Sequence, residues 1–310
     1  MHCLPKKGML EVIITKRNGL TVPLDFGRHW LIEVLEISEM PEDRILEKGK
    51  IGNSVVSMEM GRVGCLKTYW NDRKFGIKEV ATYGMEVFGK PIESLGTTTQ
   101  TSNDEPIWIL DWINSFQKPL LKCYCSSNGE MSDENITYFL KNCNVTDQFL
   151  IGFTPTDQFQ IDSIRSVEMS YLSITPSKWF TRDLLLSINT KSIFLTKSSL
   201  SSKDIKSFLH HWINGGCPKL KEIFVCINVN RMNYNEILEG IEVDQSDTHL
   251  VREYVRADSV RLSIRGRFDI KNGNETTATI LRDHAGPNAF KMVVWSESTD
   301  EIPRKYDILN

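Results

Sequence analysis

The 310-residue chain has no apolar run approaching the ~18 residues needed to cross a bilayer as a helix; its longest candidates are Phe149–Phe153 and Leu184–Leu186. A secretory leader is not expected either. Lys6-Lys7 near the N-terminus is followed by Gly8, and the next apolar stretch, Met9–Ile14, carries Glu11. Cysteine is scarce and odd in number, at 7, which argues against a disulfide framework and for reduced thiols. The expected location is therefore intracellular, cytoplasm or nucleus. There the glycosylation-type triplets starting at Asn135, Asn144 and Asn274 carry no meaning. An excess of one charge is also missing. With 37 basic and 40 acidic residues the net charge is −3, so phosphate-backbone binding is not the default. Glycine (19) and proline (11) are too few for a collagen-like or low-complexity chain.

Catalytic and cofactor motifs are absent too. There is no glycine-rich phosphate loop ending in lysine, no dinucleotide fingerprint and no Gly-x-Ser-x-Gly elbow. Cys123-x-Cys125 lacks the second pair that a four-ligand zinc site needs. Residues two apart in a strand face the same way, so these thiols read as small core residues. His210 and His211 lie about 100° apart on a helix and cannot share a ligand face. Arg252, Arg256, Arg261, Arg265 and Arg267 are interrupted by Glu253, Asp258 and Asp269, the pattern of a solvated face or a rim of salt bridges. No enzymatic activity, cofactor or metal is expected.

What is present is ordinary globular composition, 40% apolar and 25% charged, with length for about two domains. Asn18-Gly19 between Met9–Thr15 and Leu20–Leu24 predicts an opening β-hairpin. Helical spacing follows over His29–Ile37, then a second hairpin over Val55–Met60 and Cys65–Trp70, then a helix carrying Ile77, Val80, Met85 and Phe88. Gly96–Pro106, rich in Thr and with no apolar member from Thr97 to Glu105, reads as a linker. The expected division is an irregular α+β part over 1–105 and a repeat-like α/β region over 106–310.

In the latter, strands are expected at Leu121–Cys125, Phe149–Phe153, Val167–Met169, Ile193–Thr196 and Ile223–Cys226. Helices with apolar stripes lie between several of them. Ser132 with Asp133-Glu134, and Ser201-Ser202 with Asp204, mark two helix starts, because serine oxygens cap free N–H groups and acidic side chains suit that end. Trp179–Ile188 is a looser third helix. Strand-to-strand spacing near 30 residues makes the architecture leucine-rich-repeat-like, with a generic parallel α/β layer as the alternative. Arg261–Ile270, Thr276–Leu281 and Phe290–Trp295 form a C-terminal β-meander, and the polar tail beyond Trp295 is expected to fray. The seven tryptophans read as core anchors with their indole N–H groups satisfied.

Strand alternation separates two sets of side chains. Leu121, Cys123, Val167, Met169, Ile193, Leu195, Ile223 and Val225 are expected to face the core. Lys122, Tyr124, Glu168, Phe194, Thr196, Glu222 and Phe224 are expected to face outward as a partner-binding surface. Three aromatics on an outward face favour a protein interface.

Several runs, in order, resemble a known family. They are Leu66-Lys-Thr-Tyr-Trp-Asn-Asp72 with the Gly76–Phe88 helix, Ser201–Trp212 continuing to Leu220, Phe268-Asp-Ile270 with Ala278-Thr-Ile280, and Phe290-Lys-Met-Val-Val-Trp295. Together they resemble the type 2 F-box-associated region of the nematode F-box protein family, over roughly residues 10–295. That resemblance implies a non-enzymatic protein-binding module. In the family an F-box docks on a cullin ubiquitin-ligase adaptor and the associated region holds the substrate. An F-box would place Leu-Pro before an apolar helix. Here Leu4-Pro5 leads into Lys6-Lys7-Gly8, so the F-box is expected to be missing and an adaptor partner is implied only with one restored. The competing expectations are a substrate-binding member uncoupled from any ligase, a nucleic-acid-binding repeat protein, and an enzyme with an unrecognised site.

Overall fold

The computed structural model describes residues 11–15, 19–21, 24–25, 29–43, 45–61, 65–99, 105–117, 119–127, 131–165, 169–227, 232–244, 250–255, 261–265, 268–281, 286–295 and 304–305. Its contacts divide the chain into two compact units, Met1–Pro155 and Thr156–Asn310.

The first unit contains strands β1 (Glu11–Thr15), β2 (Gly19–Thr21), β3 (Leu24–Asp25), β4 (His29–Glu36), β5 (Glu47–Ile51), β6 (Ser54–Met60) and β7 (Cys65–Trp70). Helix α1 (Arg73–Phe88), β8 (Ser94–Thr99), α2 (Glu105–Phe116), β9 (Leu120–Ser127), α3 (Asp133–Asn142) and β10 (Val145–Gly152) complete it. Its sheet runs β10-β9-β8-β1-β2-β4-β7-β6-β5, parallel from β10 to β1 and mixed beyond. The two expected hairpin pairings are present: β1 lies antiparallel to β2 and β6 antiparallel to β7.

Two sequence expectations are corrected here. His29–Glu36 is not a helix but a strand, parallel to β7. Glu33, Val34 and Leu35 are all buried, and a strand covered on both faces shows no alternation to set it apart from a helix. Of the expected linker Gly96–Pro106, Gly96–Thr99 belong to the inner strand β8 between β1 and β9 and Glu105–Pro106 begin α2, while residues 100–104 lie outside the described residues. The β-branched threonines of β8 suit a strand, and Thr97 satisfies its hydroxyl by donating to Cys125 Sγ at 2.7 Å. The expected boundary near residue 105 falls inside this first unit.

Helix α1 starts where Asp72 accepts from the N–H groups of Lys74 and Phe75, and ends at Gly89 with φ 61°. Gly76 lies so close to Trp70 that a Cβ would stand 2.5 Å from the indole Cγ. Trp70 is buried, its Nε1–H donates to Thr68 Oγ1 at 2.8 Å, and Thr68 donates to the Glu33 carbonyl.

The second unit holds β11 (Tyr171–Ile174), α4 (Arg182–Ser187), β12 (Ser192–Ser198), α5 (Ser202–Ile213), β13 (Glu222–Ile227) and α6 (Tyr234–Leu238). They are followed by β14 (Leu250–Val255), β15 (Arg261–Arg265), β16 (Phe268–Lys271), β17 (Thr277–Ile280), β18 (Ala289–Val294) and β19 (Arg304–Lys305). Strands β11, β12 and β13 are mutually parallel, with α4 and α5 as crossovers. The outer side of β13 pairs antiparallel with β18, then β17, then β16. The fold is thus mixed α/β, with parallel and antiparallel pairing in one sheet. Ile205, Phe208, Leu209 and Trp212 form the buried stripe of α5, and Ser201 with Asp204 makes a capping box at its start.

The expected strand Arg261–Ile270 is in fact two, β15 and β16, in different sheets. Within the polar tail expected to fray, Arg304 and Lys305 pair with β14, and the other residues beyond Trp295 lie outside the described set. The strand expected at Val167–Met169 begins later, at Tyr171. Met169 is buried, whereas Val167 and Glu168 lie outside the described residues.

Candidate functional site

Strict alternation builds the site. In β12 and β13, Ile193, Leu195, Ile223 and Val225 are fully buried, while Phe194 and Phe224 point the other way and are half-buried. The two strands are in register, with Phe194 beside Phe224. Tyr171 of β11 is likewise half-buried and stacks on Phe194. Ring centroids are 5.2 Å apart for Tyr171–Phe194 and 6.0 Å for Phe194–Phe224, with interplanar angles of 26° and 33°. The first pair is stacked and the second tilted, so the three rings form one continuous row across the neighbouring strands. Lys291 of β18, in register with Phe224 and half-buried, ends the row.

A roof covers the adjoining part of this face. Tyr254, Ile264, Leu281, Val293 and Trp295 form a buried cluster between the small β15-β14-β19 sheet and strands β17–β18. Arg252 Nη2 pairs with Asp269 Oδ2 at 2.8 Å, Thr279 donates to Asp269 Oδ1, and Trp295 Nε1–H donates to Thr279 Oγ1 at 2.7 Å. The Arg252 guanidinium also lies over the Trp295 ring at 5.2 Å, and Tyr254 OH donates to the Lys221 carbonyl at 3.2 Å. Of the arginine run, Arg252 is thus an inward ion pair. The Arg261 and Arg265 side chains, Arg256 and Arg267 lie outside the described set.

The roof explains one correction. Glu222 was expected to face outward, and alternation does put it on the side of Phe224, but it is 1% exposed. It sits beside Val293, a member of the roofed cluster, and Ser192 Oγ donates to its Oε1 at 3.1 Å. Thr196 is half-buried and engaged locally: its Oγ1 lies 2.7 Å from Thr175 Oγ1, and its carbonyl accepts from Ser177 Oγ and Ser177 N–H.

Lys122 and Tyr124 belong to β9 of the first unit, whereas Phe194, Thr196, Glu222 and Phe224 belong to the second. Tyr124 is 45% exposed and Lys122 half-buried. Cys123 and Cys125 face the core together and are fully buried. Leu121, expected in the core, is 42% exposed. Both Leu121 N–H and Lys122 N–H donate to the Glu93 carbonyl, so two residues oppose one and alternation starts only after this bulge. Sequence reasoning missed Tyr171 and Lys291. The alternation Tyr171-Leu-Ser-Ile174 is the signal that marks the first.

Four of the described thiols are held in the protonated form, which works against a nucleophilic thiolate. Burial, then the neighbouring Glu33 carboxylate, pushes Cys65 up to about 11, and burial pushes Cys217 up to about 11. Cys123 is raised by burial and by its contact with Cys143, and Cys125 by burial. Among the described residues no group of His, Cys, Asp and Glu is arranged to hold a metal ion, and no helix is long and apolar enough to cross a membrane. Two indole N–H groups, of Trp108 and Trp179, lack a hydrogen-bond partner among the described residues, unlike those of Trp70 and Trp295.

Compared with known proteins, residues 158–225 match the family model described as F-box associated. This stretch contains β11, α4, β12, α5 and the start of β13, and with them all three rings of the aromatic row. No curated protein and no solved structure matches the chain.

Proposed function

We propose, on the premise that residues 158–225 form an F-box-associated region, that this protein acts by binding a protein partner on the aromatic row of its second unit. The observation that carries this reading is Tyr171–Phe194–Phe224, three half-buried rings on the side of the strands away from Ile193, Leu195, Ile223 and Val225. Aromatic side chains exposed in a row are costly to hydrate and gain most when a partner covers them. The action is non-covalent: a stiff sheet presents side chains and no bond is made or broken. The finer reading is that the bound partner is a ubiquitination substrate delivered to a cullin ligase. The leucine-rich-repeat-like description of this region draws support from its two consecutive strand–helix crossovers.

The test compares partners recovered by the wild-type chain and by Phe194→Ser/Phe224→Ser, after matching their thermal stability. A partner that wild type holds and the double variant loses supports the reading. An unchanged set of partners refutes this surface. Recovery of a cullin adaptor together with the full gene product decides the ligase coupling separately.

A further inference from the structure

Two ammonium groups in the first unit share one aromatic ring. Lys74 and Lys78 of α1 lie over Trp108 of α2, with Nζ 5.5 Å and 5.7 Å from the ring centroid. A ring attracts a cation through its negative faces but carries no net charge to cancel one. Lysines four apart on a helix are neighbours, and like charges so placed repel. Among the described residues neither ammonium has an ion-pair partner. Lys74 is exposed and Lys78 half-buried, so both charges are within reach of solvent.

The described carboxylates close to them in sequence are engaged elsewhere. Asp72 Oδ1 accepts from the N–H groups of Lys74 and Phe75, Glu79 Oε2 from Ser54 Oγ at 3.5 Å, and Asp111 Oδ1 from Tyr138 OH at 2.7 Å. Because Asp72 already caps the helix, what is left open is the pair of side chains and not the helix end. The first turn of α1 holds Arg73 and Lys74 and no acidic residue, against the preference of a helix's positive end. Such a local conflict costs stability and is the mark of a functional site. An apolar contact adjoins the pair. Phe75 is 49% exposed and shares a helix face with Lys78, and its ring is placed by an edge contact with Trp70 at 6.1 Å.

We infer that Lys74 and Lys78 bind the phosphoryl group of a phosphorylated partner segment, with Phe75 against an apolar side chain next to that group. A phosphomonoester carries about two negative charges on three acceptor oxygens, so one group cancels both ammoniums, whereas a carboxylate cancels one. Inorganic phosphate has the charge but nothing to set on Phe75, which favours a group borne by a protein. The site lies in the first unit, outside the family-matched stretch, and does not depend on the aromatic row.

The probes are fluorescein-labelled peptides with phosphoserine, serine or aspartate between two leucines, titrated with the intact chain and read by fluorescence polarisation. The phosphoserine peptide is expected to bind at least roughly tenfold tighter than the other two. Its affinity falls as salt is raised from about 0.1 M to about 1 M, because the screening length drops from ~10 Å to ~3 Å. Lys74→Gln/Lys78→Gln, which keeps most of each aliphatic stem beside Trp108, abolishes the preference, and Phe75→Ala weakens the phosphoserine peptide by about tenfold. Inorganic phosphate displaces that peptide, at a concentration at least roughly tenfold higher than the unlabelled peptide needs. Circular dichroism of each variant establishes that it is folded. Equal binding of the aspartate peptide overturns the argument from a double charge. Inorganic phosphate as potent as the peptide, or an unchanged affinity in Phe75→Ala, overturns the protein-borne group. No binding of any peptide, or binding that the lysine variant leaves unchanged, overturns the site. Phe194→Ser/Phe224→Ser should bind as wild type does, and a loss there would move the peptide to the aromatic row and overturn the inference.

Discussion

Replacing Arg252 with methionine tests whether the roof over the second unit's sheet is held by an inward ion pair. The guanidinium is 2.8 Å from Asp269, and the two side chains are 21% and 10% exposed. Methionine keeps much of the stem that packs beside Trp295 but removes the charge. Asp269 then keeps the Thr279 hydroxyl and no cation. Removing one partner of a shielded pair costs about 3–5 kcal/mol, and the residual exposure of Arg252 puts the expectation at the lower end, about 3 kcal/mol. In a unit of this size each kcal/mol is worth roughly 2–4 °C, so the second unit should melt about 6–12 °C lower. Differential scanning calorimetry or urea unfolding measures this directly. The double change Arg252→Met/Asp269→Leu leaves no stranded charge and should recover a large part of the loss. A single-variant cost of about 0.5 kcal/mol or less, as for a solvent-exposed pair, would refute the account of the roof.

Two further outcomes are expected. Gly76→Ala places a Cβ 2.5 Å from Trp70, a buried ring fixed by its bond to Thr68, and should cost about 1–3 kcal/mol in chemical denaturation; a neutral result would show that α1 can move away from β7. Alkaline stability should fall because the Cys217 thiol, which donates to the Ile188 carbonyl at 3.1 Å, is held at about 11 in the fold against 9.0 in an open chain. Between those values the unfolded chain gives up its proton and the fold keeps it. The stabilisation is complete below pH 9, and about 2–3 kcal/mol of it is lost as the pH rises toward 11. Cys217→Ala should flatten that part of the pH–stability curve, and an unchanged slope would exclude Cys217 as its source.

Much of the second unit's parallel half is legible locally. Ser201 and Asp204 announce α5, the stripe Ile205-Phe208-Leu209-Trp212 gives its inner face, and alternation in β12 and β13 separates Ile193 and Ile223 from Phe194 and Phe224. What was not legible depends on residues far away in sequence. β4 gives no alternating signal because it is covered on both faces, and β8 looks like a polar loop although Thr97 is buried and satisfied across the sheet by Cys125. Glu222 appears outward until β14, some thirty residues later, reaches over it and Tyr254 bonds the Lys221 carbonyl. Tyr171 joins the site through a strand that starts after the expected one, and Lys291 through the register of an antiparallel strand that local patterning does not specify.

The pairing of β13 with β18 has a practical consequence for anyone excising the family-matched stretch. Residues 158–225 end inside β13, whose outer edge is occupied by Ala289–Val293 from more than sixty residues downstream. Cut there, the fragment exposes a row of unpaired backbone groups flanked by Ile223 and Val225, the kind of edge that recruits another copy of itself. The border of the family match and the border of the paired sheet therefore differ here, and a fragment that keeps the aromatic row with its strand edge covered needs to run on through Trp295.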